Sequence, residues 1–159
     1  MNAKKIFLLA LIINLFYFSP VTAAGQLYED EQLVEVNKIQ TLYKFIEGDK
    51  AKPLVIFIPG AAHLARIAYG FLGGEKDDFL SYWIHQKGYP FLGVSYPIDN
   101  PVYTKIYPSF NIQAWGKQIA SLAKTMIKQK HLSNHVVVLA WSMGAMLKQL
   151  LARLFKKQV

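Results

Sequence analysis

The chain has 159 residues, 53% of them hydrophobic and 18% charged, so it is long enough for one domain with a sizeable core and too apolar to be disordered. Its net charge is +8, but the basic residues are scattered, which describes a solvated basic surface and argues against nucleic-acid binding. It has no cysteine, which excludes disulfides, thiolate metal sites and a cysteine nucleophile.

Residues 1–24 read as a secretory signal helix. Lys4 and Lys5 form its charged start, residues 6–18 are apolar apart from Asn14, Ser19-Pro20 break the run, and Val21-Thr22-Ala23 supply small residues for cleavage. The apolar run is shorter than the roughly 20 residues of a spanning helix. The expectation is an exported protein, periplasmic or extracellular, with no stable membrane span after cleavage. The alternative is a membrane anchor through an uncleaved signal. Residues 25–159 then form one domain, with no repeat or linker to divide them.

Residues 26–32 are polar and acidic and read as a surface lead-in. Residues 34–46 alternate imperfectly, as one bent strand or a short hairpin. After a turn at 47–50, Leu54, Val55, Ile56, Phe57 and Ile58 make a strand that is apolar at every position, the pattern of a parallel strand covered on both faces. Pro59-Gly60-Ala61-Ala62-His63 follow as a loop, and residues 64–75 are a glycine-bearing connection, either a mobile rim or a packed link. Asp77-Asp78 cap a helix that runs to about Gln86, with Phe79, Leu80, Trp83 and Ile84 inward and Gly88 as its stop.

Residues 91–96 are the next buried strand. Tyr96, Tyr103, Ile106 and Tyr107 make the loop beyond it aromatic, either to line a pocket or to pack the loop down. Residues 112–130 are an amphipathic helix: Ile112, Trp115, Ile119, Leu122, Ala123, Met126 and Ile127 share one face, with Lys117, Lys124 and Lys128 off it. His135 begins another strand, an apolar run that stops near Ser142, in the stretch Trp141-Ser142-Met143-Gly144-Ala145. A last helix follows at once, with Met143, Met146, Leu147, Leu150, Leu151 and Leu154 on its apolar stripe and Lys156 and Lys157 at its C-terminal dipole.

A strand that stops at a serine between small residues and turns straight into a helix leaves that hydroxyl exposed at the sheet rim, beside a helix N-terminus. The alternative is an ordinary N-cap serine in another doubly wound fold. Ala140-Trp141-Ser142-Met143-Gly144 resembles the nucleophile elbow, G-x-S-x-G, of the α/β-hydrolase superfamily, with Ala140 in place of the first glycine. Pro59-Gly60-Ala61 resembles that family's loop after the first parallel strand, with Pro59 where histidine often stands. The alternating element order agrees over residues 34–155. No D-x-R-G-x-G run follows the strand at 91–96.

The resemblance implies an α/β fold, a partial α/β-hydrolase with a mostly parallel sheet and flanking helices. It implies Ser142 as nucleophile toward an ester or related acyl compound, with the Ala61 and Met143 backbone amides as the oxyanion hole. It implies no cofactor and no metal. Esterase, lipase and peptidase chemistry share these parts, and the sequence does not separate them.

The family's triad runs serine, then acid, then histidine, yet residues 143–159 contain no Asp, Glu or His. His135 stands roughly 20 Å from Ser142 at about 3.3 Å per strand residue, and His85 and His131 end helices that return to the same lower edge. Only His63 and Asp99 are placed at the upper edge with Ser142, and His63 is the one available base, in a topologically irregular position. The expectation is a truncated hydrolase, with a non-catalytic secreted binding module or one half of a split hydrolase as alternatives. The strand that ends at Ser142 is expected at an exposed edge, open to self-association.

Overall fold

The computed structural model describes residues 25–156. The export signal expected over residues 1–24 lies outside them, as does Lys157. Of the two readings of residues 34–46, the hairpin is formed. Strands β1 (Glu31–Val36) and β2 (Ile39–Ile46) pair antiparallel, from Val36 opposite Ile39 to Glu31 opposite Lys44. Asn37 and Lys38 join them with φ of 52° and 65°. Two successive left-handed residues give a turn whose twist matches that of the paired strands.

Strands β3 (Leu54–Ile58), β4 (Phe91–Val94) and β5 (Val136–Ala140) complete a single sheet in the order β1-β2-β4-β3-β5. The β4-β3 and β3-β5 pairings are parallel, and β2-β4 is antiparallel. The sheet is therefore mixed, parallel from β4 through β3 to β5 and antiparallel from β1 through β2 to β4. A two-residue turn can only return a strand antiparallel, whereas the parallel pairs are joined by helical crossovers. β5 stands at the edge, as expected.

Helices α1 (Arg66–Tyr69), α2 (Leu80–Gln86), α3 (Ile112–Lys130) and α4 (Lys148–Lys156) flank the sheet. Leu54, Ile56 and Ile58 of β3 pack on one face with Trp115, Ile119 and Leu122 of α3 and with Leu151 of α4. Val55 and Phe57 pack on the other with Ala65, Ala68 and Tyr69. Successive strand residues point to opposite faces, so burial on both sides demands an apolar residue at every position of β3. α3 is bounded as its periodicity predicts. The Asn111 side chain accepts the Ala114 N–H at 3.0 Å to cap its start.

The helix expected over residues 77–86 is broken. A 3-10 turn spans Lys76–Asp78, Phe79 is extended, and α2 follows. The break changes the helical phase: Phe79 is buried, but Leu80 and Trp83 face solvent and Ser81 is buried in their stead. Trp83 Nε1 donates to the Asp77 carbonyl at 2.8 Å, which holds the ring on the surface. In the aromatic loop, packing is the reading formed. Tyr96 and Tyr103 are buried, the Tyr107 hydroxyl accepts the Gln40 N–H at 2.8 Å, and Ile106 is 90% exposed.

The acidic lead-in is not all surface. Glu31 is buried at the start of β1, where Arg66 Nε and Nη2 donate to its two oxygens at 2.8 and 2.6 Å. The Tyr69 hydroxyl and the Tyr28 N–H donate to the same carboxylate at 2.7 and 2.8 Å. Residues 26–31 are thereby fastened to α1.

Candidate active site

Parallel strands β3 and β5 end side by side, so the loops that leave them share the upper rim of the sheet. Trp141 stays in line with β5, its N–H donating to the Ile58 carbonyl at 3.0 Å. The chain then bends at one residue. Ser142 has φ of 50°, left-handed for a residue that carries a Cβ, and a 3-10 helix over Ser142–Leu147 leads into α4. The last apolar stripe therefore begins in a tighter helix than its spacing predicts.

Two glycines make the bend fit. A Cβ on Gly144 would meet the Pro59 and Ile58 carbonyl oxygens at 2.7 and 3.0 Å, so the new helix rests directly on the backbone of β3. A Cβ on Gly60 would stand 2.9 Å from Ser142 Cβ and 3.0 Å from the Trp141 ring. The Gly60 backbone thus lies against Ser142, and Ala61 follows it into the same space. Ser142 and Ala61 are both exposed.

A left-handed serine costs roughly 1–3 kcal/mol, a cost glycine avoids. Ser142→Gly is therefore expected to raise the urea midpoint by about 1 kcal/mol of stability, while Ser142→Ala leaves it unchanged. Paired denaturation curves check this, and a glycine variant no more stable than the alanine variant would mean that the bend is unstrained.

The loop after β3 is tied down by Tyr96, whose place in the sequence suggests only pocket lining or loop packing. The Tyr96 hydroxyl, just beyond β4, accepts the Ala62 N–H at 2.8 Å and donates to the Gly60 carbonyl at 3.3 Å. It therefore fixes the peptides on both sides of Ala61. Ala62 is itself left-handed, with φ of 58°. Among the hydrogen bonds of the described residues, the Ala61 N–H donates to no protein acceptor. Met143 lies in the first turn of its helix, where an amide has no intrahelical carbonyl to meet.

His63 reaches the same rim. Its ring meets the Trp141 ring edge-on, centroids 4.9 Å apart. Its Nδ1 lies 2.6 Å from the Ala61 carbonyl. A carbonyl only accepts, so Nδ1 carries the proton and Nε2 is left as the basic nitrogen. No hydrogen bond joins His63 to Ser142 among the described residues. Asp99 is exposed in the loop beyond β4.

The other histidines lie elsewhere: His85 against the Glu47 carbonyl, His131 at the end of α3, and His135 beside Ser133 at the start of β5. Ser142, Met143, Ala61 and His63 thus share one rim, without an assembled relay from acid to base to hydroxyl. Among the described residues no group of three His, Asp or Glu could hold a metal ion, and no helix is long and apolar enough to cross a membrane.

No family model matches the chain, and no curated protein matches it in sequence. Solved structures do match its fold. The epoxide hydrolase VrEH1 from Vigna radiata superposes with a TM-score of 0.52 at 20% identity, over 77% of this chain and 33% of its own. A laboratory-evolved variant of the potato epoxide hydrolase StEH1 gives 0.54 at 16% identity, over 81% and 37%. An AqdC variant, described for recognition and ring-cleavage of the Pseudomonas quinolone signal, gives 0.56 at 16% identity, over 77% and 39%. The architecture is a partial α/β-hydrolase fold, and the chain spans about a third of the length of these structures. One fold here serves epoxide opening and quinolone ring cleavage, so chemistry has to be argued from the site.

Proposed function

We propose that this chain is the nucleophile-bearing part of a serine hydrolase acting on a small ester or related acyl compound. Ser142 Oγ attacks the carbonyl carbon, its proton passes to a base, and the alcohol leaves with a proton returned by that base. Water then repeats the sequence on the acyl-serine. The Ala61 and Met143 amides receive the oxyanion at each attack. The observation that carries this reading is the left-handed Ser142 at a strand-to-helix bend, with the Gly60–Ala61 loop against it. The strain is maintained by backbone contacts on two sides, and strain of this kind gathers where chemistry needs a group held out of its relaxed position.

The base and the acid are contributed by groups that this arrangement does not include. His63 is bound to its own loop, and no described residue holds it toward Ser142. In this reading the first 24 residues export the protein, so its substrate is met outside the cytoplasm.

Free imidazole can stand in for a missing base. A fluorophosphonate probe with mass-spectrometric mapping is expected to label Ser142 only when imidazole is added. Labelling is lost in Ser142→Ala and kept in His63→Ala. Labelling without imidazole that disappears in both variants would make His63 the base and overturn the incompleteness. Absence of a Ser142 adduct under either condition would overturn the nucleophile.

A further inference from the structure

Basic residues that are scattered along the chain are gathered by the fold. All 10 Asp and Glu residues precede Pro101, so α3 and α4 carry none. Both helices cover one face of the sheet, with Ile119 and Leu122 of α3 and Leu151 of α4 turned inward. At roughly 100° per residue, Lys117, Lys124 and Lys128 fall within about 40° of one another and stand opposite Ile119. They span roughly 16 Å of helix. Arg153 is exposed on α4, on the side away from Leu151. Asn37 Nδ2 donates to the Lys117 carbonyl at 3.4 Å and to Ser121 Oγ at 3.1 Å, which brings Lys38 of the hairpin turn to the same side.

Among the described residues none of these five cations is in an ion pair, whereas Lys105 and Lys130 are matched by Glu35 and Glu47. The layer on the other face of the sheet differs, with Glu75, Asp77 and Asp78 exposed before α2. Folding does not ask for this arrangement. Lys128 complements the C-terminal dipole of α3, but Lys117 and Lys124 lie too far from that end to do so. Lys124 and Lys128 are like charges four residues apart, a spacing that disfavours a helix. A solvated helix face usually mixes the two signs, and this one holds a single sign.

We infer that the outer face of α3 and α4 docks on an anionic lipid bilayer, with Lys38, Lys117, Lys124, Lys128 and Arg153 against the phosphate headgroups. The charges are complementary, and each basic residue held near such a surface strengthens binding about fivefold. A lysine ammonium is a compact, strongly hydrated charge that suits a diffuse layer of phosphates and needs no fixed partner. Nucleic acid is the poorer occupant. Duplex readout favours bidentate arginine, and single strands are held by stacking on aromatic rings. This face has one arginine among its five cations, and Trp115, the aromatic residue of α3, is buried. The inference stands apart from the chemistry of Ser142.

The test sediments the full chain with vesicles of phosphatidylcholine alone and with vesicles in which about one-third is phosphatidylglycerol, at low salt. The readout is the ratio of the two affinities, in which any apolar contribution from residues 1–24 cancels. The full chain is expected to favour the anionic vesicles at least about a hundredfold, and to lose that preference as salt is raised to about 0.5 M. Lys117→Gln, Lys124→Gln and Lys128→Gln made together keep a good helix former at each site and are expected to lower the ratio at least about tenfold. A control with the same loss of charge, Lys50→Gln, Lys76→Gln and Lys87→Gln, lies off α3 and α4 and is expected to change it less than about twofold. Equal binding to both vesicles, a preference that survives high salt, or equal effects of the two triple variants would overturn the inference. So would displacement of the vesicles by duplex DNA at the same phosphate concentration, since the occupant is then nucleic acid.

Discussion

Arg66→Met is expected to lower stability by about 3–5 kcal/mol, because it leaves the carboxylate of Glu31 buried without its cation. The Glu31 side chain is fully buried and that of Arg66 nearly so, and the pair fastens the segment before β1 to α1. Replacing both partners with apolar residues, as in Glu31→Leu with Arg66→Met, is expected to recover a large part of the loss, since no uncompensated charge remains. Urea denaturation of the two single variants and the double variant measures the coupling. Additive losses would contradict the pairing.

The same pair sets a pH dependence. Burial pushes the Glu31 carboxyl up, but hydrogen bonds from Arg66, the Tyr28 N–H and Tyr69 outweigh it and hold the group below the ordinary value of 4.5. A carboxyl depressed on folding contributes stability that is present above its unfolded value. That stability is lost as pH falls from about 4.5 through the lower folded value. The wild type therefore weakens in that acid window, and Arg66→Met, without the main stabilising donor, shows a flatter acid limb.

Gly144→Val is expected to cost at least about 2 kcal/mol, the overpacking penalty when neighbours cannot yield. The atoms in the way are the backbone oxygens of Ile58 and Pro59, fixed by the β3 ladder. The helix must then lift from β3, taking Ser142 and Met143 with it, so the imidazole-dependent labelling of Ser142 falls along with stability. Met146→Ala, at a side chain 66% exposed in the same helix, serves as the control and leaves both quantities nearly unchanged. If Gly144→Val matched that control, the close seat of the helix on β3 would be disproved.

What could be read from the sequence was what burial dictates. β3 and α3 have the bounds their patterns give, because a strand covered on both faces and a long one-faced helix leave strong periodic signals. The bend at Ser142 was visible because small residues at 140, 144 and 145 have few other uses together. The hairpin was ambiguous because Lys38, unlike glycine, does not advertise a left-handed turn position. α2 was misjudged in phase because nothing in residues 76–80 marks the extended Phe79 that interrupts it.

Two polar devices left no local trace at all. Glu31 lies 35 positions from Arg66, and Tyr96 lies 34 from Ala62, so each pair exists only once the sheet has assembled. The role of Tyr96 in holding the loop around Ala61 is a product of topology. An aromatic residue at the end of a strand reads simply as packing, and Tyr96 does pack, against Trp115 at 4.5 Å between ring centroids.

A crystal structure of the chain phosphonylated on Ser142 in the presence of imidazole tests the proposed chemistry most directly. The expected result is a phosphonyl oxygen at about 3 Å from both the Ala61 and the Met143 amide nitrogens, with Tyr96 still bonded to Gly60 and Ala62. An adduct whose oxygens face solvent, with neither amide in reach, would show that the bend at Ser142 is a feature of folding and not of catalysis.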